Sequence, residues 1–228
     1  MPTGIITGAS RGLGLELTRA LAADGWRLVV DARGTDDLHR AVRDLPGEVV
    51  AVAGDVAHRA HRRALMESAG PRVDLLVNNA SLLGPSPQPA LADYPLDVFT
   101  RVYAVDVFAP LELAQLVLPR MPDGGVVLNV TSDAAVEAYE GWGGYGSAKA
   151  ALDHWTAILA AEQPRLRVYA VDPGDMNTRM HQEAEPGEDL SHLPDPVERV
   201  PALLALIDPA GRHPSGRYKA ADLLGVPA

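Results

Sequence analysis

A chain of 228 residues, 47% of them hydrophobic, has material for one sizeable core and is short for two domains. The absence of cysteine excludes disulfides, thiolate metal sites and a cysteine nucleophile, and a formal charge of −10 argues against nucleic acid, whose phosphate backbone needs a basic face. No charged-then-apolar leader follows Met1 and no apolar run looks long enough to span a bilayer, so the expectation is a cytoplasmic protein without membrane contact.

A short apolar run at residues 4–7 ends in TGASRGLG, residues 7–14. Leu17, Ala20 and Leu21 then recur at helical spacing over residues 15–25, with Gly25 as the stop. Strand, glycine turn and helix make a phosphate-binding context. Glycines let the backbone approach a pyrophosphate, and the helix N-terminus offers free N–H groups. The spacing is Gly8, Gly12, Gly14, not the G-x-G-x-x-G pattern. Residues 27–31 form the second strand, and Arg33 follows. In a dinucleotide fold this point meets the adenosine ribose, where an acid suits a 2′-hydroxyl and an arginine a 2′-phosphate. Arg33 and Arg11 are placed for the phosphate, Asp31 is the counterargument, and the balance favours NADP(H) over NAD(H).

A helix is expected over 35–45 and a third strand over 49–53. Asp55 beyond it either accepts from an adenine amine or caps a helix at 57–69. His58 and His61 lie among Arg59, Arg62 and Arg63, and read as a solvated basic face; no metal site is expected. The fourth strand, 73–77, runs into Asn78, Asn79, Ala80 and Ser81, amides that bond neighbouring backbone or face a ligand. A long apolar helix, 97–118, is interrupted or bent near Pro110. Strand 125–130 precedes a helix at 146–162 whose Leu152, Trp155, Ile158 and Leu159 form an apolar stripe. Strand 166–171 ends in Asp172, Pro173 and Gly174, and the polar, acidic stretch 175–195 is expected to be a lid. A helix at 197–207 and a strand at 217–221 close the chain. Apolar strands alternating with helices mean a parallel sheet covered on both faces, with right-handed crossovers and ligands beyond the carboxyl ends of the strands. Every stretch singled out falls at such an end.

The stretch 129–149, NVTSDAAVEAYEGWGGYGSAK, carries the chemistry. Ser132 follows an apolar run, Tyr145 comes thirteen residues later and Lys149 four after that. Positions i and i+4 of a helix share a face, so Tyr145 and Lys149 point into one space. A phenol titrates near pH 10 and is a poor proton donor or acceptor at neutral pH; a nearby ammonium pulls that value down. Ser132, from a strand end, would hold a substrate oxygen beside the phenol.

With these residues in hand the chain resembles the short-chain dehydrogenase/reductases over nearly its whole length. TGASRGLG resembles the family's TGxxxGxG turn, Asp55–Val56 its adenine-contacting acid, and NNAS (residues 78–81) its NNAG. NVTS with YGSAK resembles its Ser and YxxxK, and VDPGDMNTRM (residues 171–180) its PG…T segment. The resemblance implies a single Rossmann-type, doubly wound parallel sheet of about seven strands in the order 3-2-1-4-5-6-7, with a lid near 175–196. It also implies a hydride exchanged between a nicotinamide cofactor and a small carbonyl or alcohol. Tyr145 would be the acid in reduction and the base in oxidation, Lys149 would hold the nicotinamide ribose and lower the phenol's pKa, and Ser132 would position the carbonyl oxygen. The implied cofactor residues are Gly8, Ser10, Arg11, Gly12, Leu13, Gly14, Arg33, Asp55, Val56, Asn79, Ala80, Tyr145, Lys149, Pro173, Gly174, Met176 and Thr178.

One departure stands out. The family's usual Asn on the long helix is Asp106 here, an added charge expected to raise Lys149 and partly offset its effect on Tyr145. Loss of the NNAG glycine to Ser81 puts less in doubt. Helix 97–118 and the helix of Lys149 resemble those through which members pair, so a homodimer or homotetramer is expected, unless Leu111, Leu113 and Trp155 face the protein's own core. Substrate walls are expected from 82–89, 134–142 and the lid, with Glu137, Tyr139, Glu140 and Trp142 making an aromatic and acidic entrance. The rival readings are a nucleotide-binding sensor that has lost turnover, and an epimerase or dehydratase that retains its cofactor.

Overall fold

The computed structural model describes residues 1–211 and 213–225. Seven strands, β1 (Thr3–Ile6), β2 (Arg27–Ala32), β3 (Val49–Ala53), β4 (Leu75–Asn78), β5 (Val126–Val130), β6 (Arg167–Asp172) and β7 (Gly216–Lys219), pair in parallel throughout. Their order is β3-β2-β1-β4-β5-β6-β7, as the family resemblance implies. Neighbouring residues of each strand bury on opposite faces, which is why the strands read as continuous apolar runs. Ile6, Val30, Leu75 and Leu128 pack under α1 (Gly12–Ala23), α2 (Thr35–Val42) and the C-terminal helices; Ile5, Val29, Leu76 and Val127 pack on the other face under α3 (Arg59–Ala69) and the later helices.

The long helix is two helices, α4 (Leu96–Tyr103) and α5 (Ala109–Val117), joined through a π-helical turn at Ala104–Phe108. That turn, not Pro110, makes the interruption. Pro110 sits in the first turn of α5, where its missing N–H costs nothing. The whole stretch Leu96–Arg120 does reach the length and apolarity that can cross a bilayer, contrary to the sequence expectation, but half of it is buried inside the fold. Leu113 and Val117 pack in this chain's own core. The remaining helices are α6 (Gly143–Glu162), α7 (Arg179–Ala184), α8 (Val200–Ile207) and α9 (Ala220–Leu224). The segment expected as a lid contains a helix, α7, capped by the Thr178 hydroxyl accepting from the His181 N–H.

Where the strands stop, side chains replace the ladder. The Asn78 amide donates to Asn129 Oδ1 at 2.7 Å, and Asn129 Nδ2 donates to Thr156 Oγ1 at 2.8 Å, a fully buried chain linking β4, β5 and α6. Asn129→Leu removes the acceptor of one neighbour and the donor to the other. It is expected to destabilise the protein by about 2 kcal/mol, the cost of stranding buried polar groups, measured as a lower urea midpoint.

Candidate active site

Glycine is required in the turn after β1 for two separate reasons. Gly8 has φ +71° and Gly12 φ +58°, conformations other residues rarely adopt. Gly14 is fixed by crowding: a Cβ there would lie 2.4 Å from Asn79 Nδ2 and 2.5 Å from the Gly8 carbonyl. Asn79 explains the crowding, since its amide donates to the Thr7 and Gly8 carbonyls at 2.9 and 3.1 Å. The Thr7 hydroxyl accepts from the Asn79 and Ala80 N–H groups, both at 3.0 Å. The end of β4 thus holds the turn in shape, and Asn79 serves the backbone instead of offering its amide to a ligand. Above Gly12 the space is open, with only Thr178 Cγ2 within 4 Å of a notional Cβ, at 3.8 Å.

These groups line one cleft of about 630 Å³. The glycine turn, Arg33, Asp55 and Val56 wall one end. Ser132, Tyr145 and Lys149 wall the middle, and Pro173, Gly174, Met176 and Thr178 close over it. Of the cofactor residues expected from the sequence, all but Gly14 border the cleft; Gly14 is buried beneath the turn, against Asn79 and the Gly8 carbonyl. Arg11 and Arg33 are exposed at its rim. Asp55 is more constrained than expected. Its carboxylate accepts from the Ala57 N–H at 2.9 Å and is paired with Arg101. Burial pushes it upward, but those two partners hold it below the usual range.

The β5–α6 region brings the catalytic candidates together. Gly146 allows it, because a Cβ there would lie 2.7 Å from the Ala134 carbonyl, so α6 packs directly on the segment after Ser132. Tyr145 is 8% exposed and Lys149 2% exposed. The Lys149 ammonium lies 5.4 Å from the centroid of the Tyr145 ring and donates to the Val130 carbonyl at 2.9 Å. The Ser132 hydroxyl donates to Asp133 Oδ1 at 2.9 Å and accepts from the Ala134 N–H at 3.2 Å. Arg217 on β7, which the sequence reading passed over, donates to the Ser132 carbonyl at 3.0 Å and to Asp153 at 2.9 Å, fixing the strand end from below.

Electrostatics around the phenol differ from the sequence expectation. Burial, followed by the Asp106 charge, pushes Tyr145 well above the usual phenol range; the Ser81 and Ser132 hydroxyls act in the opposite direction. Lys149 is not what lowers it. Burial draws Lys149 itself downward, with Asp106 and Asp153 opposing. Asp106 therefore pulls Lys149 in the expected direction, but desolvation outweighs it. Asp106 is wholly buried on the π turn, 3.9 Å from Lys149 Nζ, and burial raises its own carboxyl. Its oxygens accept from the Leu82 N–H at 2.8 Å and the Ser81 hydroxyl at 2.9 Å. Ser81, set aside in the sequence reading, is thus the partner that Asp106 requires, and it stands beside Tyr145. The signal was available: two departures from the family pattern occur in one chain, and one supplies a donor where the other adds an acceptor.

The acidic entrance is also redrawn. Glu137, Tyr139 and Glu140 are exposed and do not border the cleft, whereas Trp142 does. Asp133 is one acid that does line the cleft, and it accepts from the Tyr139 hydroxyl at 2.8 Å. Trp142 meets the Tyr145 ring edge-to-face at 5.8 Å, and Leu83, Met180 and Ala184 complete an apolar lining around the phenol. The solvated basic face expected on α3 holds only in part: His58, Arg59 and Arg63 are exposed, but Arg62 is buried against Glu112 and His61 is turned inward. Among the described residues no cluster suits a metal ion.

The family model described as short chain dehydrogenase matches residues 3–189. The chain belongs to the short-chain dehydrogenase/reductase family. This family member is 32% identical to the 7alpha-hydroxysteroid dehydrogenase of Escherichia coli K12, over 93% of this chain and 89% of that one. It is 30% identical to a benzil reductase ((S)-benzoin forming) of Saccharomyces cerevisiae, over 98% and 90%. Among solved structures, a short chain dehydrogenase from Shigella flexneri complexed with NADP superposes with a TM-score of 0.88 at 26% identity, covering 96% of this chain and 97% of that one. The protein is therefore an oxidoreductase with the family's nucleotide-binding fold.

Asp106 and Lys149 form a buried pair, so removing one partner strands the other. Asp106→Leu is expected to cost about 3 kcal/mol in denaturant unfolding at neutral pH. Asp106→Asn, which still accepts from Leu82 and Ser81, should cost less than half of that.

Proposed function

We propose that this dehydrogenase/reductase is an NADPH-preferring carbonyl reductase or alcohol dehydrogenase acting on a small, largely apolar substrate, with Tyr145 as its acid and base. The observation carrying this reading is the convergence of Ser132, Tyr145 and Lys149 with the glycine turn on one cleft. The turn fits a dinucleotide, because side chains are excluded at Gly8 and Gly14 and α1 starts at the cleft with no side chain capping its N-terminus. When bound, the cofactor supplies or accepts the hydride.

The chain's own groups hold the substrate and move the proton. In reduction the Tyr145 phenol donates to the carbonyl oxygen, and the Ser132 hydroxyl, rotated off Asp133 Oδ1, donates its one hydrogen bond to that same oxygen. Lys149, anchored on the Val130 carbonyl, keeps its remaining N–H groups for the nicotinamide ribose and the phenol's side of the cleft. The carboxamide falls to Thr178 and the backbone near Met176. Leu83, Trp142, Met180 and Ala184 exclude water around the reacting atoms, and closure of 175–196 commits the substrate. Benzil, an aromatic ketone, names the activity of one relative, and an aromatic ketone suits this lining. Phe108 and Ile158, exposed on the two elements through which members pair, support a homodimer or a tetramer built from it.

Tyr145→Phe is expected to lower kcat for reduction by about 10²–10⁴ while NADPH affinity is kept, the range for losing a general acid. A variant as fast as its parent refutes the assignment. The phenol donates only while protonated and Asp106 pushes it upward, so Asp106→Asn should move the alkaline fall of the reduction rate to lower pH. Fluorescence titration should show tighter binding of NADPH than NADH. Arg33→Ala should weaken NADPH by about tenfold, one lost phosphate contact at a solvated site, and leave NADH nearly unchanged. Unaltered NADPH affinity would refute the phosphate role of Arg33.

A further inference from the structure

Asp31 was the argument for NAD(H), and its placement removes that argument. Alternation along β2 sends Val30 and Ala32 to the face of α1 and α2, and Val29 and Asp31 to the face of α3. Asp31 is 1% exposed at the cleft wall. Its Oδ1 accepts from the Gly8 N–H at 2.7 Å, and its Oδ2 accepts from His61 Nε2 at 2.9 Å. The His61 ring, 8% exposed, occupies space that only a glycine at 54 leaves free, since a Cβ there would lie 2.3 Å from Nδ1. The other acids at this end of the cleft are engaged as well. Glu16 pairs with Arg19 at 2.6 Å, Asp37 with Arg40 at 3.2 Å, and Asp55 with Arg101. Arg11 and Arg33 have no such partner among the described residues, so the free charge facing an incoming nucleotide is positive.

We propose that His61 is a specificity-determining residue for the nucleotide. By occupying Oδ2 of Asp31 it keeps that carboxylate turned under the glycine turn and away from the ribose, which leaves a 2′-phosphate to Arg33 and Arg11. Without the imidazole, Oδ2 is a buried anion oxygen lacking its donor, and the nearest relief is rotation or hydration toward the cleft. There the carboxylate repels a 2′-phosphate and accepts from a 2′-hydroxyl. This inference rests on the NADP(H) reading above.

The test is fluorescence titration of the full chain with NADPH and with NADH, reported as the ratio of Kd for NADH to Kd for NADPH. His61→Leu is expected to lower that ratio about tenfold, the effect of one unit charge a few ångströms from a phosphate at a solvated site. His61→Gln, whose amide still donates to Oδ2, should hold the ratio near the parent's. Adding Asp31→Asn to His61→Leu should restore it, because no acid is left to release. Gly54→Ala crowds the ring with one methyl group and should shift the ratio the same way, giving a second route if His61→Leu does not fold. Unchanged ratios in His61→Leu and Gly54→Ala, or equal weakening of both nucleotides, overturn the proposal while the NADP(H) reading stands. A parent protein that binds NADH more tightly than NADPH sinks that reading instead, and the premise of the proposal with it.

Discussion

A parallel sheet satisfies its backbone only as far as the strands are paired. Beyond their carboxyl ends the N–H and C=O groups need other partners, and an unpaired buried one is costly. In this chain the gap is closed by side chains: Thr7 and Asn79 for the turn after β1, Asp31 for the Gly8 N–H, and Arg217 for the Ser132 carbonyl. The same side chains that complete the backbone hold the cleft in shape. Building the site and finishing the sheet are one task, which is why the groups able to hold a nucleotide and move a proton lie along a single edge.

The second organising fact is electrostatic. Tyr145, Lys149 and Asp106 are all buried, and burial, not their mutual charges, is the largest influence on each of them. Such an arrangement is tolerable because each ionised partner has hydrogen bonds of its own, Lys149 to the Val130 carbonyl and Asp106 to Leu82 and Ser81. In a low-dielectric pocket a small change of charge, such as an arriving cationic nicotinamide, acts strongly on the phenol. Burial and the Asp106 charge both favour the protonated phenol, the state that the proposed proton donor requires.

The parallel sheet, the glycine turn and the Ser132, Tyr145 and Lys149 set were legible because they follow from periodicity, turn chemistry and spacing along the chain, whereas the strand order came only from the family resemblance. What escaped depends on direction across space. Asp31 was counted as facing the ribose, although its parity on β2 with Val29 points it to the face of α3. His61 was grouped with its arginine neighbours because they adjoin it in sequence, while its ring lies over Gly54. Ser81 and Asp106 are 25 residues apart and meet only when β4 and the π turn pack together. Arg217 is 85 residues from Ser132, and no local pattern links them. In each case the missing information was a long-range pairing of polar atoms, which hydrophobic periodicity does not encode.

The π turn at Ala104–Phe108 carries a consequence of its own. One residue more than an α-helix would use is accommodated there, and each residue turns a helix by about 100°. Deleting one of the neighbours of Asp106 in that turn would restore regular winding and swing the carboxylate off its bearing without changing Asp106 itself. The tuning of the phenol is thus set by chain length as much as by chemistry. Relatives that differ here by an insertion or a deletion would have to find another way to seat a polar group behind the lysine.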